Sequence, residues 1–519
     1  MSHRLRPALF ALFVVSSALL AHAKLTVPSI FTDGSVLQRD KPVPVWGWTE
    51  PGSTVTVRFA GQTVMTKADT DGRWQAKLAA LSTSREGRAL EISAGTETKT
   101  IKDVLVGEVW ILAGQSNMGW SLKESNGGDA AARRAQYPWL RTFQQFPLEG
   151  ASETSQRDVK GGRWLTCTPT TASSILGVGF FFAEAIHPAL GEDVPLALIH
   201  TPMGGTPIES WIDQPSLEAT PAAKAGLKFF REGVATYREK KATWDANKSA
   251  WHKQVEVAKA AGQPEPEMAP ALKKEPEGLK PHMLPSALFN GKIYPLQPFA
   301  ARGVIWYQGE TNAGSSASAV SYAELLDLLI TRWRAGFDNP VLSFLVIQLP
   351  GYDIKSTTAD WPALRASQAA VAARTPGVGL VVTIDLGEKD NIHPTDKQPV
   401  GKRAALMARR GVYGNREIVA EGPRFLKAER SGSKILLRFS HTGTLLTTNA
   451  AAPAGLEIAG ADGKFSPIEP KLEGDALVVT PPGDLIPPLS LRYAWANWPA
   501  ATISDASGLP LAPFQTPSL

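Results

Sequence analysis

The sequence predicts an α/β protein in which helices cover both faces of a central parallel sheet, with β-sandwich-like regions before and after it. Three observations predict this fold. Between residues 104 and 415, apolar runs of strand length alternate with helical patterns, which is typical of a parallel sheet that is buried on both faces. Residues 24–103 and residues 416–519 instead show short strands that are separated by turn residues, as in small all-β domains.

The N-terminus has the pattern of a secretory signal peptide. Arg4 and Arg6 precede an apolar stretch at 8–20, which is followed by the small-residue motif AHA. We therefore expect residues 1–23 to be removed and the mature protein to be exported, to the periplasm or outside the cell. The apolar stretch is shorter than the roughly 20 residues that a membrane span needs, so we expect no stable membrane insertion.

Length and composition limit the classes of function. A chain of 519 residues is too long for one hydrophobic core, so we expect two or three domains. The 54 basic and 49 acidic residues give a formal net charge of +5, without a dense run of Lys or Arg, which argues against a nucleic-acid partner. Cys167 is the single cysteine and cannot form an internal disulfide. The eight histidines show no metal-binding spacing, so we expect neither a zinc site nor another cofactor.

The first strand of the α/β region ends in a candidate nucleophile. The apolar run at 104–112 leads through Gly114 into the motif GQSN, which contains Ser116. A buried strand that delivers a serine through a glycine into a polar loop is how α/β enzymes present a nucleophile. Met118 stands where the motif G-x-S-x-G has its second glycine, so the sequence does not match an ordinary α/β-hydrolase. A helix cap is the alternative role of such a serine.

Four further strands and four helices complete the predicted sheet. The strands are expected at 194–200, 303–307, 341–348 and 378–384, and the helices at 174–190, 321–334, 362–374 and 398–410. The polar motifs MGGT, QGETN and DNIH follow three of these strands, as GQSN follows the first. Because ligands bind beyond the carboxyl ends of parallel strands, we expect all four motifs to converge at one edge of the sheet.

The motif DNIH supplies a candidate base. A serine nucleophile needs a base to take its proton, and a histidine base needs an acceptor on its other ring nitrogen; His393 and Asp390 can supply both. Asp-x-x-His is also common in surface turns, and Glu310 of the QGETN loop could replace Asp390 as the partner. A glycosidase would use Glu310 and Asp390 as its carboxyl pair, but that scheme leaves Ser116 without a role.

The segments GQSNM, TPMGGTPIESW, WYQGETN and DNIHPTDKQPVGKR together resemble the sialate O-acetylesterase-type carbohydrate esterases of the SGNH hydrolase superfamily. The resemblance covers nearly all of residues 24–519. It implies a flavodoxin-like SGNH hydrolase domain at 104–415 and deacetylation of O-acetylated mono-, oligo- or polysaccharides without a metal or other cofactor. It also implies that Ser116 is the nucleophile, that His393 is the base and that Asp390 orients the base.

The resemblance further implies an oxyanion hole. Its donors would be the backbone N–H groups of Ser116 and Gly205 and a side-chain amide of the QGETN loop. We favour Gln308 for that amide, with Asn312 as the alternative, because SGNH enzymes usually carry an asparagine in this block. Three polar side chains are expected to support the site through local hydrogen bonds: Gln115, Glu310 and Asn312.

The segment 216–285 interrupts the α/β alternation. Four aromatic residues recur every seven positions along a helix rich in Lys and Glu, at 230, 237, 244 and 251. This spacing places the rings on one helix face, which either packs on the domain beneath it or stacks on polysaccharide; we favour packing. The Pro-rich part at 262–285 is expected to be an extended loop.

A different class of function is a secreted, non-catalytic glycan-binding protein with a hydrolase-like fold. Trp46 and Trp48 lie two apart on a predicted strand and could stack on sugar rings, although a position in the core is favoured. The presence of Ser116, Asp390 and His393 favours the esterase. The sequence leaves open the acetylated sugar, the oligomeric state, and whether the two terminal β regions form one unit.

Overall fold

The computed structural model of the chain describes residues 24–145, 150–440 and 446–519. The predicted signal peptide at 1–23 lies outside these residues, so export stays a prediction. Among the described residues, none of the helices combines the length and the apolar composition that a membrane span requires. The predicted α/β fold with additional β regions at both ends is confirmed.

The N-terminal β region (24–103) consists of short, mostly antiparallel strands. They are β1 (Val36–Gln38), β2 (Val43–Trp48), β3 (Thr54–Phe59), β4 (Gln62–Lys67), β5 (Arg73–Leu78) and β6 (Ser84–Ala94). In β5 every second side chain is buried, as expected for a strand with one face on a core. Trp46 is 2% exposed and packs edge-to-face on Phe31, with 4.8 Å between the ring centroids. Trp46 is therefore a core residue, whereas Trp48 is half-buried.

The central sheet is built around one long strand, β7 (Glu97–Gly114). The other strands of this sheet are β8 (Tyr137–Gln144), β9 (Arg163–Cys167), β10 (Leu196–His200), β11 (Gly303–Tyr307), β12 (Ser343–Ile347) and β13 (Val378–Val381). Their order is β13-β12-β11-β7-β10-β8-β9, with every pairing parallel except β8 with β9. The N-terminal half of β7 pairs with β6, so one continuous strand crosses the predicted domain boundary at 103/104.

All five predicted strands occur in this sheet, and β8 and β9 are additional. The segment that forms β8, YPWLRTFQ, mixes aromatic with polar residues and shows neither an apolar run nor a clean alternation. Cys167 lies at the end of β9 and is buried with a free thiol. Burial raises the pKa of this thiol to about 12, so it is a poor nucleophile.

Helices cover both faces of the central sheet. The α-helices in the described part of the chain are α1 (Ser116–Gly119), α2 (Gly128–Arg134), α3 (Gly177–Leu190), α4 (Gln214–Ala219), α5 (Lys224–Ala260), α6 (Pro270–Lys273), α7 (Ser316–Gly336), α8 (Trp361–Arg374) and α9 (Gln398–Gly411). Of these, α5 and α6 belong to the insertion. Trp110 of β7 packs on Phe182 of α3, whereas Trp306 of β11 packs on Trp333 of α7. Trp110 is in register with Gly303, three residues before Trp306, so the two tryptophans point to opposite faces.

The insertion (216–285) folds back on itself. The long helix α5 carries the predicted row of aromatic side chains, and the Pro-rich segment packs along that row. The indole N–H of Trp244 donates to the carbonyl of Ala271 at 3.2 Å, and that of Trp251 donates to the carbonyl of Pro266 at 3.1 Å. The aromatic face of α5 is therefore a packing face. Part of it packs on the Pro-rich segment of the insertion rather than on the domain beneath.

The C-terminal β region (416–519) forms its own sheets. Its strands are β14 (Arg424–Ser431), β15 (Lys434–Ser440), β16 (Leu446–Thr448), β17 (Leu456–Ala459), β18 (Ser466–Pro467), β19 (Lys471–Glu473), β20 (Ala476–Val479), β21 (Ser490–Tyr493), β22 (Ile503–Asp505) and β23 (Phe514–Gln515). In the part of the chain that the structure describes, they pair with one another and not with the N-terminal strands. The guanidinium of Arg365, buried in α8, donates to the carbonyls of Ala494 and Ala496 and so joins this region to the α/β region.

A buried acidic residue anchors β7 to its neighbours. Glu108 is fully buried and accepts hydrogen bonds from Arg39 at 2.6 Å, from Arg302 at 2.7 and 2.9 Å, and from the Tyr413 hydroxyl at 3.1 Å. Burial alone would raise the pKa of Glu108, but the two guanidinium groups overcome this effect and hold the pKa below its usual value. Glu108 is thus an ionised carboxylate that ties the strand leading to Ser116 to three other segments.

We predict that Glu108→Ala destabilises the protein by about 3–5 kcal/mol, because removing one member of a buried ion pair leaves the remaining charges without a partner. Urea unfolding followed by circular dichroism measures this free energy. The exposed Glu91 of β6 offers a matched control, and Glu91→Ala should change stability by no more than about 0.5 kcal/mol. Equal stability of the two variants would contradict the anchoring role.

Candidate active site

The turn after β7 depends on a glycine. Gly114 has a φ of +132°, and a side chain at this position would place its Cβ 2.1 Å from the carbonyl oxygen of Tyr307. Glycine therefore lets β7 and β11 approach closely where the chain turns. Gln115 donates its backbone N–H to the same carbonyl at 2.9 Å, and its side-chain oxygen accepts from the N–H of Gly309 at 3.3 Å. Ser116 follows as the first residue of α1, at the carboxyl edge of the sheet.

Ser116 and His393 meet at this edge. The Nε2 atom of His393 lies 2.8 Å from the Ser116 Oγ, although 277 residues separate them in sequence. The imidazole stacks on the indole of Trp120, with 5.1 Å between the centroids and 24° between the planes. Burial and then the charge of Lys397 lower the pKa of His393, while Glu124 opposes them. The imidazole therefore stays neutral to lower pH than an ordinary histidine, which a general base requires.

The turn that presents His393 is held by Glu388. One carboxylate oxygen of Glu388 accepts from the backbone N–H of Thr395 at 2.6 Å, and the other accepts from the side-chain amide of Asn391 at 2.9 Å. The side-chain oxygen of Asn391 in turn accepts from the backbone N–H of His393 at 3.0 Å. Glu388 was not singled out in the sequence, because it belongs to no recognisable motif.

Asp390 does not contact the His393 ring. It is exposed, and among the described residues it forms no hydrogen bond with the imidazole. Its charge contributes instead to the raised pKa of Lys355, after a larger effect from a hydrogen bond between Lys355 and Asp353. The predicted Asp390–His393 pair is therefore not formed in this structure. The carboxylate that forms hydrogen bonds within the turn is that of Glu388, which is half-buried. The acidic group whose charge acts on His393 is Glu124.

Gln308 and Asn312 have no amide hydrogen free for an oxyanion. The Gln308 Nε2 donates to the carbonyl of Thr206 at 3.0 Å and to the Asn312 Oδ1 at 2.9 Å, which uses both of its hydrogens. The Asn312 Nδ2 donates to the carboxylate of Glu209 at 3.0 Å and to the Ser318 hydroxyl at 3.4 Å, and both amides are fully buried. The structure therefore does not fit the predicted side-chain donor; these amides fasten the QGETN loop to the segment after the MGGT motif.

The two backbone donors remain available. Gly205 has a φ of +69°, and a Cβ added at Gly204 would lie 3.4 Å from the Cβ of Ser116, so the MGGT loop lies against the serine. Among the described residues, the N–H groups of Ser116 and Gly205 have no acceptor. Two unpaired N–H groups beside Ser116, the candidate nucleophile, suit the oxyanion of a tetrahedral intermediate.

A buried polar network lies behind Ser116. The Nδ2 of Asn117 donates to the Glu310 Oε1 at 2.6 Å and to the carbonyl of Ile392 at 3.0 Å, while its Oδ1 accepts from the Lys397 Nζ at 2.6 Å. Burial lowers the pKa of Lys397 to about 7 and raises the pKa of Glu310. The supporting role expected for Glu310 fits this geometry, whereas Asn117 and Lys397 were not singled out in the sequence.

A cavity of about 430 Å³ opens beside Ser116, within the usual size range of small-molecule sites. Trp120, Leu176 and Met203 form apolar parts of its wall, and Glu124 lines it as well. Within the described ranges, no three His, Cys, Asp or Glu residues are grouped so that they could hold a metal ion.

Comparison with known proteins shows the family of this chain. The family model of the sialic acid-specific acetylesterases, a carbohydrate esterase family, matches residues 106–259 and 290–408. Sialate O-acetylesterase of Mus musculus is 26% identical over 536 residues, with 92% of each chain covered. The Homo sapiens protein of the same name is 26% identical over 533 residues, with 94% of this chain and 91% of the human protein covered.

A solved structure extends this similarity to nearly the whole chain. A carbohydrate acetylesterase from Xanthomonas citri has 33% sequence identity and a TM-score of 0.77, with 96% of this chain and 100% of that chain covered. The family-model match includes Ser116 and His393, and together its two segments span more than half of the chain. The chain belongs to the carbohydrate esterase family of the sialic acid-specific acetylesterases.

Proposed function

We propose that this enzyme removes acetyl groups from O-acetylated sugars by a serine–histidine mechanism. The single observation that carries the proposal is the 2.8 Å contact between the Ser116 Oγ and the His393 Nε2 at the mouth of a cavity. The relatives named sialate O-acetylesterase and carbohydrate acetylesterase support the choice of an acetylated sugar as substrate.

The reaction takes place in two acyl transfers. The Ser116 Oγ attacks the acetyl carbonyl carbon while His393 takes the serine proton, and the negative charge on the carbonyl oxygen is stabilised by the N–H groups of Ser116 and Gly205. The carbon–oxygen bond to the sugar then breaks, and His393 returns the proton to the departing sugar oxygen. Water, deprotonated by His393, attacks the acetyl-serine. The bond between the acetyl carbon and the Ser116 Oγ then breaks, His393 returns the proton to the Oγ, and acetate leaves.

Two charged groups act on His393 in opposite directions. Lys397 disfavours the imidazolium and keeps the base neutral at rest, whereas Glu124 favours the imidazolium that forms during the reaction. The rate should therefore fall as the pH drops through the pKa of His393, because the protonated ring cannot accept the serine proton. The lowered pKa places this fall at a more acidic pH than for an ordinary histidine.

Ser116→Ala should lower acetate release from O-acetylated sugars by at least roughly 10⁴-fold, as loss of a serine nucleophile does in other enzymes. Secretion, thermal stability and circular dichroism should not change, because the hydroxyl is not part of the core. The exposed Ser82 provides a matched control, and Ser82→Ala should keep full activity. Substantial turnover by Ser116→Ala would refute the proposed function.

Lys397→Gln should move the acidic limb of the kcat/KM pH profile to higher pH. Glutamine keeps an N–H donor for Asn117 but removes the positive charge that lowers the pKa of His393. Lys402 is exposed on the same helix, and Lys402→Gln should leave the profile where it is. An unshifted acidic limb in Lys397→Gln would show that this charge does not act on the base.

The acidic partner of His393 can be identified with two amide variants. Glu124→Gln should lower kcat by roughly tenfold, because it removes one charge close to the developing imidazolium. Asp390→Asn should change kcat by less than about threefold, since solvent screens an exposed carboxylate. The opposite ranking, with a loss approaching 10⁴-fold in Asp390→Asn, would mean that Asp390 reaches the ring in the working enzyme.

A further inference from the structure

Two buried polar side chains in the wall of the Ser116 cavity have no hydrogen-bond partner. Gln145 is 2% exposed, and neither its amide nitrogen nor its amide oxygen has a partner among the described residues. His200 is 5% exposed, and its Nε2 has no partner either. Both residues line the same cavity as the nucleophile. Such groups are rare in folded proteins, and each one needs a physical explanation.

Gln144, the residue before Gln145, has hydrogen-bond partners, as buried amides normally do. The amide of Gln144, the last residue of β8, is buried and donates to the hydroxyls of Thr142 and Ser174 at 3.3 and 3.2 Å. The described residues therefore supply hydrogen-bond partners for the amide of Gln144 but none for the amide of Gln145. A ligand in the cavity would supply the missing partners of Gln145 and His200.

The chemistry of the wall indicates what that ligand is. An amide offers two donors and an acceptor, and a neutral imidazole offers one of each, which matches hydroxyl groups. Burial, and then the charge of Lys292, lower the pKa of His200 to about 3, so its ring is neutral at ordinary pH. Among the described lining residues, Glu124 supplies the fixed charge, and it is negative.

We propose that Gln145 and His200 form the subsite that binds the hydroxyl groups of the acetylated sugar, and that this sugar is uncharged. This inference rests on the proposed esterase function and names the class of substrate for the same site. A ligand carboxylate would find no cation in the described wall and would face Glu124, whereas a neutral sugar ring would satisfy both orphan side chains. The apolar surface of Trp120 and Met203 is available to the C–H groups of the ring.

The first test compares two acetyl esters in Gln145→Leu. This substitution keeps the approximate volume and removes every hydrogen bond, so kcat/KM for an acetylated neutral oligosaccharide should fall by roughly 10–100-fold. The fall for 4-nitrophenyl acetate, which has no sugar hydroxyls, should be at least tenfold smaller. The melting temperature should rise, because an unsatisfied buried amide has been removed from the free enzyme.

Equal losses on the two esters, or no loss on the sugar, would overturn the subsite. If Gln145→Leu does not fold, Gln145→Met provides the same comparison with a more adaptable side chain. Gln136 is exposed and directly precedes β8. Gln136→Leu should leave the rates on both esters unchanged. Absence of acetate release from every sugar by the wild type would instead refute the proposed function, independently of the subsite.

The second test concerns the charge of the substrate. An O-acetylated sialic acid and its carboxyl methyl ester differ in one negative charge and share the acetyl group. The methyl ester should have the higher kcat/KM in the wild-type enzyme, and Glu124→Gln should reduce the difference. Equal rates, or a faster reaction with the free acid, would overturn the assignment of an uncharged sugar.

Discussion

The hydrogen bonds of the Asn117 side chain hold together three loops that come from distant parts of the chain. Asn117 follows Ser116 in sequence, accepts from Lys397, and donates to Glu310 and to the carbonyl of Ile392. Ile392 immediately precedes His393, so this single amide fixes where the imidazole lies relative to the serine. Because Asn117 is fully buried, solvent cannot replace these partners, and the loops keep one arrangement.

The same network sets the electrostatics of the site. It places a lysine and a glutamic acid on opposite sides of a neutral amide, in surroundings that shift the pKa of each towards its uncharged form. The positive charge that remains on Lys397 acts on the nearby His393 and disfavours its protonation. One buried cluster thus positions the base and also keeps it ready to accept a proton, which a surface ion pair exposed to solvent could not do.

Three of the aromatic residues that could have indicated a glycan-binding protein have structural roles. Trp46 lies in the core of the N-terminal β region, and Trp244 and Trp251 are bound by the folded-back Pro-rich segment. The unsatisfied hydrogen-bonding groups of Gln145 and His200 lie instead in the cavity that Ser116 lines. Recognition of a sugar and cleavage of its ester would therefore take place in one cavity.

The α/β fold, the five strands of the central sheet and the candidate residues Ser116 and His393 could be predicted from the sequence, because apolar periodicity and short motifs are local properties. The pairing of the polar groups could not, because it depends on the folded chain. Asp390 lies only three residues before His393, yet it makes no hydrogen bond to the imidazole. Glu388 instead accepts the hydrogen bonds within this turn, from Thr395 and Asn391. Gln308 has the chemistry of an oxyanion donor, but both of its hydrogens are used within the fold. Hydrogen-bond partners depend on loops that meet only after folding, so no spacing along the chain can reveal them.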